Sequence, residues 1–395
     1  MQFLLSAGEA SGDTYGAQLI DALRQLTPES TFFGMGGEKM SVSGCELLID
    51  AKDVAVVGLV EVVKHLPDIR RRFKHLVAEA ARRKPDAAIL IDFPDFNLRL
   101  ARELHRLGIP VFYFVSPQVW AWRTGRVQQI KKYVRKMIVI FPFEQEFYAR
   151  HGVEVSYVGH PLAYEPPPQI SREEFAAQHR LDSRKQWIAL LPGSRKKEVG
   201  LNLPPMVRAI ALLQYGDFEF VVPVASTLNR QSFIGLWTKY EVLSRAGADA
   251  DAAKAVAYSN IRLSSNARAT LMHARAAVVA SGTATVEAAL SGTPFVVVYR
   301  LAPLTWLLGR RLVKLDTFAM PNLIAGKKIV PELIQKDFTA QNVVRELNAI
   351  IPDGPARQQM EAALKMVQQR LHDSPDAEAP ARRAARQILG ALQSG

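Results

Sequence analysis

The stretch Gln2-Phe3-Leu4-Leu5-Ser6-Ala7-Gly8-Glu9-Ala10-Ser11-Gly12-Asp13 runs from a short apolar segment through glycine into a polar, helix-compatible one. Residues 2–6 read as a buried strand and residues 15–26 have the length and spacing of a crossover helix. Between them the glycines allow a tight turn whose backbone N–H groups face outward, although a plain Asp-capped strand-to-helix turn has the same pattern. The spacing is neither G-x-G-x-x-G nor a P-loop ending in Gly-Lys-Ser/Thr, which removes support for nicotinamide cofactors and P-loop nucleotide hydrolysis.

The same grammar extends outward. Residues 32–35, 87–91, 110–115, 137–141 and 155–158 also read as strands, separated by helical stretches at 67–83, 98–107 and 126–133. Residues 187–191, 218–224, 260–263, 276–280 and 295–299 repeat the pattern without repeating the sequence. Short apolar strands alternating with longer amphipathic segments indicate parallel βαβ units. Glu165-Pro166-Pro167-Pro168 can continue neither a helix nor a sheet and suits a linker. After Pro331 the strand signals stop, and helices are expected at 355–371 and 381–392. The expected fold is α/β, with two Rossmann-like doubly wound domains facing a cleft and a C-terminal helical tail. The boundaries fall at 1–164, 165–354 and 355–395, and ligands of such sheets gather at the carboxyl ends of the strands.

Composition sets outer bounds. The 395 residues are 48% hydrophobic and 22% charged, an ordinary globular balance, and 50 Lys plus Arg against 38 Asp plus Glu give a net charge of +12. That surplus favours anionic partners: phosphorylated substrates, nucleic acid or acidic lipid surfaces. One cysteine, Cys45, excludes an intrachain disulfide and a multi-thiolate metal site, and fits a reducing compartment. The opening residues predict no secretory leader. The most lipid-like stretch, 54–63, contains Gly58 and Glu61 and is far shorter than a bilayer span.

Three further strand-to-helix turns carry chemistry. In Leu191-Pro192-Gly193-Ser194-Arg195 a helix N-terminus and a guanidinium together suit a diphosphate, against the alternative of a surface turn with a solvated Arg195. In Ser281-Gly282-Thr283-Ala284-Thr285-Val286-Glu287, Glu287 lies one turn beyond Thr283, where its carboxylate can accept hydrogen bonds from vicinal ribose hydroxyls or merely favour the helix dipole. Two such tips in one half make a nucleotide-diphosphate pocket the better joint reading. In Ile91-Asp92-Phe93-Pro94-Asp95-Phe96-Asn97, Asp92 ends a buried strand beside aromatic rings and suits a general base, while Asp95 or Asn97 can cap the following helix. The spacing is Asp-x-x-Asp, so no divalent-metal clamp is expected. Ser116-Pro117-Gln118-Val119-Trp120-Ala121-Trp122-Arg123 places two indoles and a guanidinium in one loop, suited to sugar rings or acyl chains or to core packing. His160, before Pro161, reads as structural or as a phosphate or sugar contact.

In combination and in order, these motifs, with Gly159-His160-Pro161 and Pro321-Asn322-Leu323-Ile324-Ala325-Gly326, resemble the lipid-A-disaccharide synthases, glycosyltransferases of the GT-B fold, over nearly the whole chain. The resemblance implies inverting transfer of 2,3-diacylglucosamine from its UDP derivative to the 6-hydroxyl of 2,3-diacylglucosamine 1-phosphate, giving a β(1→6) disaccharide 1-phosphate and UDP. It implies no cofactor. Asp92 would be the base, with Gly193, Ser194, Arg195, Ser281, Gly282, Thr283, Glu287 and Asn322 on the UDP side. Glu9, Ser11, Asp13, Asp95, Asn97, Trp120 and Arg123 would line the acceptor side or cleft. It further implies a cytoplasmic enzyme, peripheral on the inner membrane of a Gram-negative bacterium, and a homodimer that exchanges the C-terminal segment. Departures are Phe93, where a small residue is expected and which would narrow the acceptor site, and Val56-Val57-Gly58 in place of a Met-Gly pair.

Two other readings stand beside it. One is a different GT-B enzyme such as a UDP-N-acetylglucosamine 2-epimerase. The other is a basic nucleic-acid-binding protein, which the lack of a basic-aromatic motif disfavours. For the anionic membrane surface, Val62, Val63, Leu66, Ile69, Phe73, Leu76 and Val77 recur at helical spacing beside Arg70, Arg71, Arg72 and Lys74. The expectation is that 56–66 inserts and the basic helix docks; the competing reading turns the apolar stripe onto a sheet, with Pro67 in the first helical turn.

Overall fold

A computed structural model describes residues 1–54, 59–120, 125–213, 218–225, 227–246, 261–301, 317–372 and 378–394, without the side chains of 59–65 and 241–246. Contacts divide the chain into two units, Met1–Tyr164 with Leu371–Gly395, and Glu165–Arg370.

The first unit alternates β1 (Gln2–Ala7), α1 (Ala10–Leu26), β2 (Thr31–Gly36), α2 (Glu38–Val42), β3 (Cys45–Asp50), α3 (Leu59–Arg83), β4 (Ala87–Ile91), α4 (Pro94–Arg106), β5 (Val111–Phe114), α5 (Arg126–Tyr133), β6 (Lys136–Val139), α6 (Pro142–Arg150), β7 (Val155–Tyr157) and α7 (Pro161–Tyr164). Among the described residues its sheet has the order β3-β2-β1-β4-β5-β6-β7, every pair parallel. The second unit runs α8 (Arg172–His179), β8 (Gln186–Leu191), α9 (Lys196–Leu212), β9 (Phe218–Pro223), α10 (Arg230–Ala246), β10 (Ile261–Ser264), α11 (Ala267–His273), β11 (Ala276–Ala280), α12 (Thr283–Ser291), β12 (Phe295–Tyr299), α13 (Met320–Ala325), β13 (Glu332–Ile334), α14 (Ala340–Ile350) and α15 (Pro355–His372). Its sheet order is β10-β9-β8-β11-β12-β13, again all parallel. A last helix, α16 (Pro380–Gln393), belongs to the first unit.

Strand side chains alternate between faces, so each buried strand feeds two cores. In the first unit Phe3, Leu5, Ile89, Ile91, Phe112 and Phe114 meet α1 and the Ala384, Ala385 and Ile388 face of α16. Leu4, Ala88, Leu90, Val111 and Tyr113 meet Leu76 and Ala80 of α3 and Leu100 and Leu104 of α4. The tail therefore completes a core: without α16, one face of the sheet would expose apolar residues such as Phe112, Phe114 and Ile138.

Several expectations are corrected. Strand signals do not stop at Pro331, since Glu332–Ile334 pairs with β12. Strand β3 was not anticipated either; it is an edge strand with the half-exposed pattern of Cys45–Asp50, whose alternation is broken by two adjacent leucines. Helix α3 begins at Leu59, so Pro67 lies inside it and not in its first turn. Its Leu76 is buried and Ile69, Phe73 and Val77 pack on the core, so these four face the sheet and not lipid. Residues 56–58 of the proposed insertion segment lie outside the described residues. No helix among the described residues is long and apolar enough to cross a membrane.

Candidate functional site

In each sheet the strand order reverses once, between β1 and β4 in the first and between β8 and β11 in the second. At such a switch point the following helices leave on opposite faces and open a crevice beyond the carboxyl ends of the strands. The four turns singled out above lie after these four strands.

At the first switch point Asp92 and Phe93 both take left-handed backbone, φ 45° and 48°, and on the neighbouring strand end Val115 does so at φ 62°. Three consecutive or adjacent non-glycine residues in this region cost about 1–3 kcal/mol each, and such strain accumulates where geometry serves function. Side chains hold it in place. Tyr113 donates its hydroxyl to the Asp92 carbonyl at 2.6 Å, and Asn97 donates its amide to the same oxygen at 2.8 Å. Asn97 also donates to the carbonyls of Ser6 and Ile91 and accepts the Ser6 hydroxyl at 2.6 Å, tying β1 to β4. Its fully buried amide thus shapes the turn and does not cap α4, whose N-cap is Phe93. Burial, reinforced by the nearby Asp92 charge, raises the Tyr113 phenol pKa, so that it stays a donor. The Phe93 ring covers Gly8: a Cβ there would stand 2.3 Å from the ring, so only glycine fits. The departure at Phe93 is thus accommodated by Gly8 and by Phe96, 5.9 Å away between ring centroids.

The remaining first-unit candidates divide. Helix α1 starts at Ala10 with Glu9 as N-cap, earlier than expected, which puts Ser11 and Asp13 in its first turn. Asp13 is 8% exposed and accepts the N–H groups of Gly37, Lys39 and Met40 at 2.8, 3.1 and 3.1 Å, so its carboxylate closes the start of α2. Asp95 is exposed and paired with Arg126. Trp120 donates its indole N–H to Glu144 at 3.2 Å, whereas Arg123 lies outside the described residues. His160 is buried between Tyr15 and Phe141, accepts the Leu162 N–H through Nδ1 at 3.2 Å, and has its pKa pushed down to about 3 by burial. That environment is the structural reading of His160.

In the second unit Gly193 has φ 118° and lies against the Glu198 carboxylate, which accepts the Ser194 N–H at 3.1 Å. Thr227 donates to the Ser194 carbonyl at 2.6 Å, and Arg195 stands exposed as the N-cap of α9. Ser281, Gly282 and Thr283 open α12, Gly282 at φ 142°. Glu287, one turn on, makes no hydrogen bond through its carboxylate among the described residues; burial raises its pKa and Arg268 opposes the rise. Asn322 is different. It is fully buried, donates to Val330 and Glu332 and accepts from Ile329 and Val330, so its amide is saturated within the protein. Sequence reasoning missed Tyr113, Glu144, Glu198 and Glu332. A reach-back spacing to the helix start signals Glu198 and Glu144, but nothing local marks Tyr113 or Glu332, whose partners are distant in sequence.

The lipid-A-disaccharide synthetase family model matches residues 3–385. A lipid-A-disaccharide synthase of Koribacter versatilis (strain Ellin345) is 51% identical over 394 residues, 100% of this chain and 99% of that one. Among solved structures, a glycotransferase of kitacinnamycin matches with a TM-score of 0.61 at 15% identity, covering 99% of each chain. A UDP-GlcNAc 2-epimerase from Neisseria meningitidis bound to UDP-GlcNAc matches with a TM-score of 0.60 at 12% identity over 100% of each chain. At these identities the two structures speak for the fold alone, two parallel-sheet α/β domains of the GT-B class. Full-length similarity at 51% identity goes further and, with the family match, establishes that the chain belongs to the lipid-A-disaccharide synthetase family.

Proposed function

We propose that this glycosyltransferase of lipid A disaccharide formation moves 2,3-diacylglucosamine from its UDP donor to the 6-hydroxyl of 2,3-diacylglucosamine 1-phosphate in one inverting displacement. Asp92 takes the proton of the 6-hydroxyl as that oxygen bonds to the anomeric carbon; the bond from that carbon to the diphosphate breaks and UDP leaves with the electron pair. Asp92 carries the reading because its strained backbone is held from two sides, by Asn97 of α4 and by Tyr113 of the neighbouring β5. A base gains most from such fixed placement.

On the donor side, Arg195 and the N-terminal N–H groups of α12 stabilise the leaving diphosphate, a charge-assisted arrangement that acts where negative charge develops. Glu287, uncommitted to any hydrogen bond among the described residues, takes the ribose hydroxyls. Gly193 and Ser194 shape the tip, and Asn322 supports the donor side by bracing α13 against β13. Glu9, Ser11 and Trp120 line the acceptor side, with Asp13 bracing it. Incubation of the pure protein with both substrates, followed by mass spectrometry, tests the reading: a disaccharide 1-phosphate is expected, and release of a free epimerised sugar would refute it.

The substrates' acyl chains place the reaction at a membrane surface. Arg70, Arg71 and Lys74 of α3 are exposed beside Leu66 and Pro67 and suit anionic headgroups, worth about 1 kcal/mol per charge. Replacing Arg70, Arg71 and Arg72 by Ser should reduce co-sedimentation with anionic vesicles, most at low salt; vesicle binding equal to the parent's would exclude this face. A cytoplasmic, peripheral location and a homodimer through the C-terminal segment rest on the resemblance, and equilibrium sedimentation tests the latter.

A further inference from the structure

Three half-buried rings stand in a row beyond the carboxyl ends of β5 and β6. Trp120 packs edge-on against Phe143 at 5.0 Å between centroids, and Phe143 stacks on Phe141 at 5.7 Å. A single residue holds both ends of this row: the Glu144 carboxyl accepts the Trp120 indole N–H through Oε1 at 3.2 Å and the Phe141 backbone N–H through Oε2 at 3.1 Å. Glu144 is 1% exposed, so the pin is inside the protein and the rings are what it presents. The loop carrying Trp120 leaves β5 at Val115, the β-branched residue in left-handed backbone, so the same strand end stores strain to aim it.

The row lies beside the proposed base. Strands β4, β5 and β6 are consecutive neighbours, and at about 4.8 Å per strand the ends of β5 and β6 lie roughly 5 and 10 Å along the sheet from Asp92. The row is longer than one sugar ring, and its one polar side-chain group, the indole N–H, is already committed to Glu144. It offers carbon and no hydrogen bond, which suits a hydrocarbon chain and not a hydroxylated ring.

We propose that Trp120, Phe143 and Phe141 form the wall along which an acyl chain of the acceptor runs, and that Glu144 is the positioning residue that fixes this wall. The inference rests on the transferase reading and deepens it. The test compares kcat/KM of the full-length protein for a long-chain diacylglucosamine 1-phosphate and for a soluble short-chain analogue, with donor saturating. Each methylene that loses its apolar contact lowers affinity about fourfold. In Phe143→Ala the long-to-short ratio should therefore fall about tenfold; Phe143→Leu should restore most of it, and Glu144→Gln, which keeps one acceptor oxygen for two donors, should lie between. A ratio within twofold of the parent's in Phe143→Ala and Trp120→Ala overturns the wall, as does a loss that follows the donor's chain length instead. Parent turnover on the short-chain acceptor tests the transferase reading by itself, so the two ideas fail separately.

Discussion

Asn97→Ala tests whether the buried amide places the base. The side chain makes one hydrogen bond as acceptor, from the Ser6 hydroxyl, and donates to the carbonyls of Ser6, Ile91 and Asp92, all within 2.6–3.2 Å. Alanine removes every one of them in a fully buried position. The Asp92 carbonyl keeps the Tyr113 hydroxyl, so the groups stranded are chiefly the Ser6 hydroxyl and the other two carbonyls. Buried polar groups left unsatisfied cost about 1–3 kcal/mol each, with partial relief from relaxation, and a total loss of about 2–4 kcal/mol is expected. For a domain of this size that lowers the unfolding midpoint by roughly 5–12 °C. Catalysis should suffer separately. With one of its two clamps gone, Asp92 relaxes from left-handed backbone, and a displacement near 1 Å costs about 10²-fold in kcat. Thermal unfolding, calorimetric UDP binding and turnover well below the midpoint separate the two effects, because UDP affinity should be preserved. A parent-like midpoint would show that water replaces the amide. A lowered midpoint with parent kcat would show that the strained turn does not place the base.

Asp92→Asn should lower kcat by about 10²- to 10⁴-fold and leave calorimetric UDP affinity within twofold, since a general base acts in the transition state; near-normal turnover would remove the assignment. Arg195→Ala should weaken UDP binding measurably by calorimetry, and unchanged affinity would reassign Arg195. EDTA should leave the rate unchanged in a detergent-controlled assay, because Asp95 is paired with Arg126 and does not form a clamp with Asp92; reversible inhibition would contradict this. Burial pushes the Glu144 pKa up to about 8, so the folded state binds a proton that the unfolded chain releases above its ordinary carboxyl range. The stability this contributes is present below pH 4.5 and lost as pH rises toward 8. The unfolding midpoint of the parent should therefore fall more between pH 5 and 8 than that of Glu144→Gln; parallel curves would show that Glu144 does not titrate there.

Strand and helix periodicity, and the glycines after residues 7, 192 and 281, are local properties, and they are enough to place two doubly wound sheets and the turns after β1, β8 and β11 in the chain. The order of motifs is enough to reach the family. Strands β3 and β13 escape because edge strands lack the continuous apolar run of central ones. What a side chain does inside its turn is not local. Asp13 and Asn322 carry the same polar chemistry as ligand-binding residues, and only the fold shows that their oxygens and amide are taken up by backbone 24–27 and 7–8 residues away, and by Glu332. Tyr113 reads as one more buried strand residue until β4 is laid beside β5 and its hydroxyl meets the Asp92 carbonyl. Hydrogen bonds between residues far apart in sequence depend on chain closure, so periodicity carries no trace of them; tertiary structure decides which polar groups are committed internally and which, like the Glu287 carboxylate, make no hydrogen bond among the described residues.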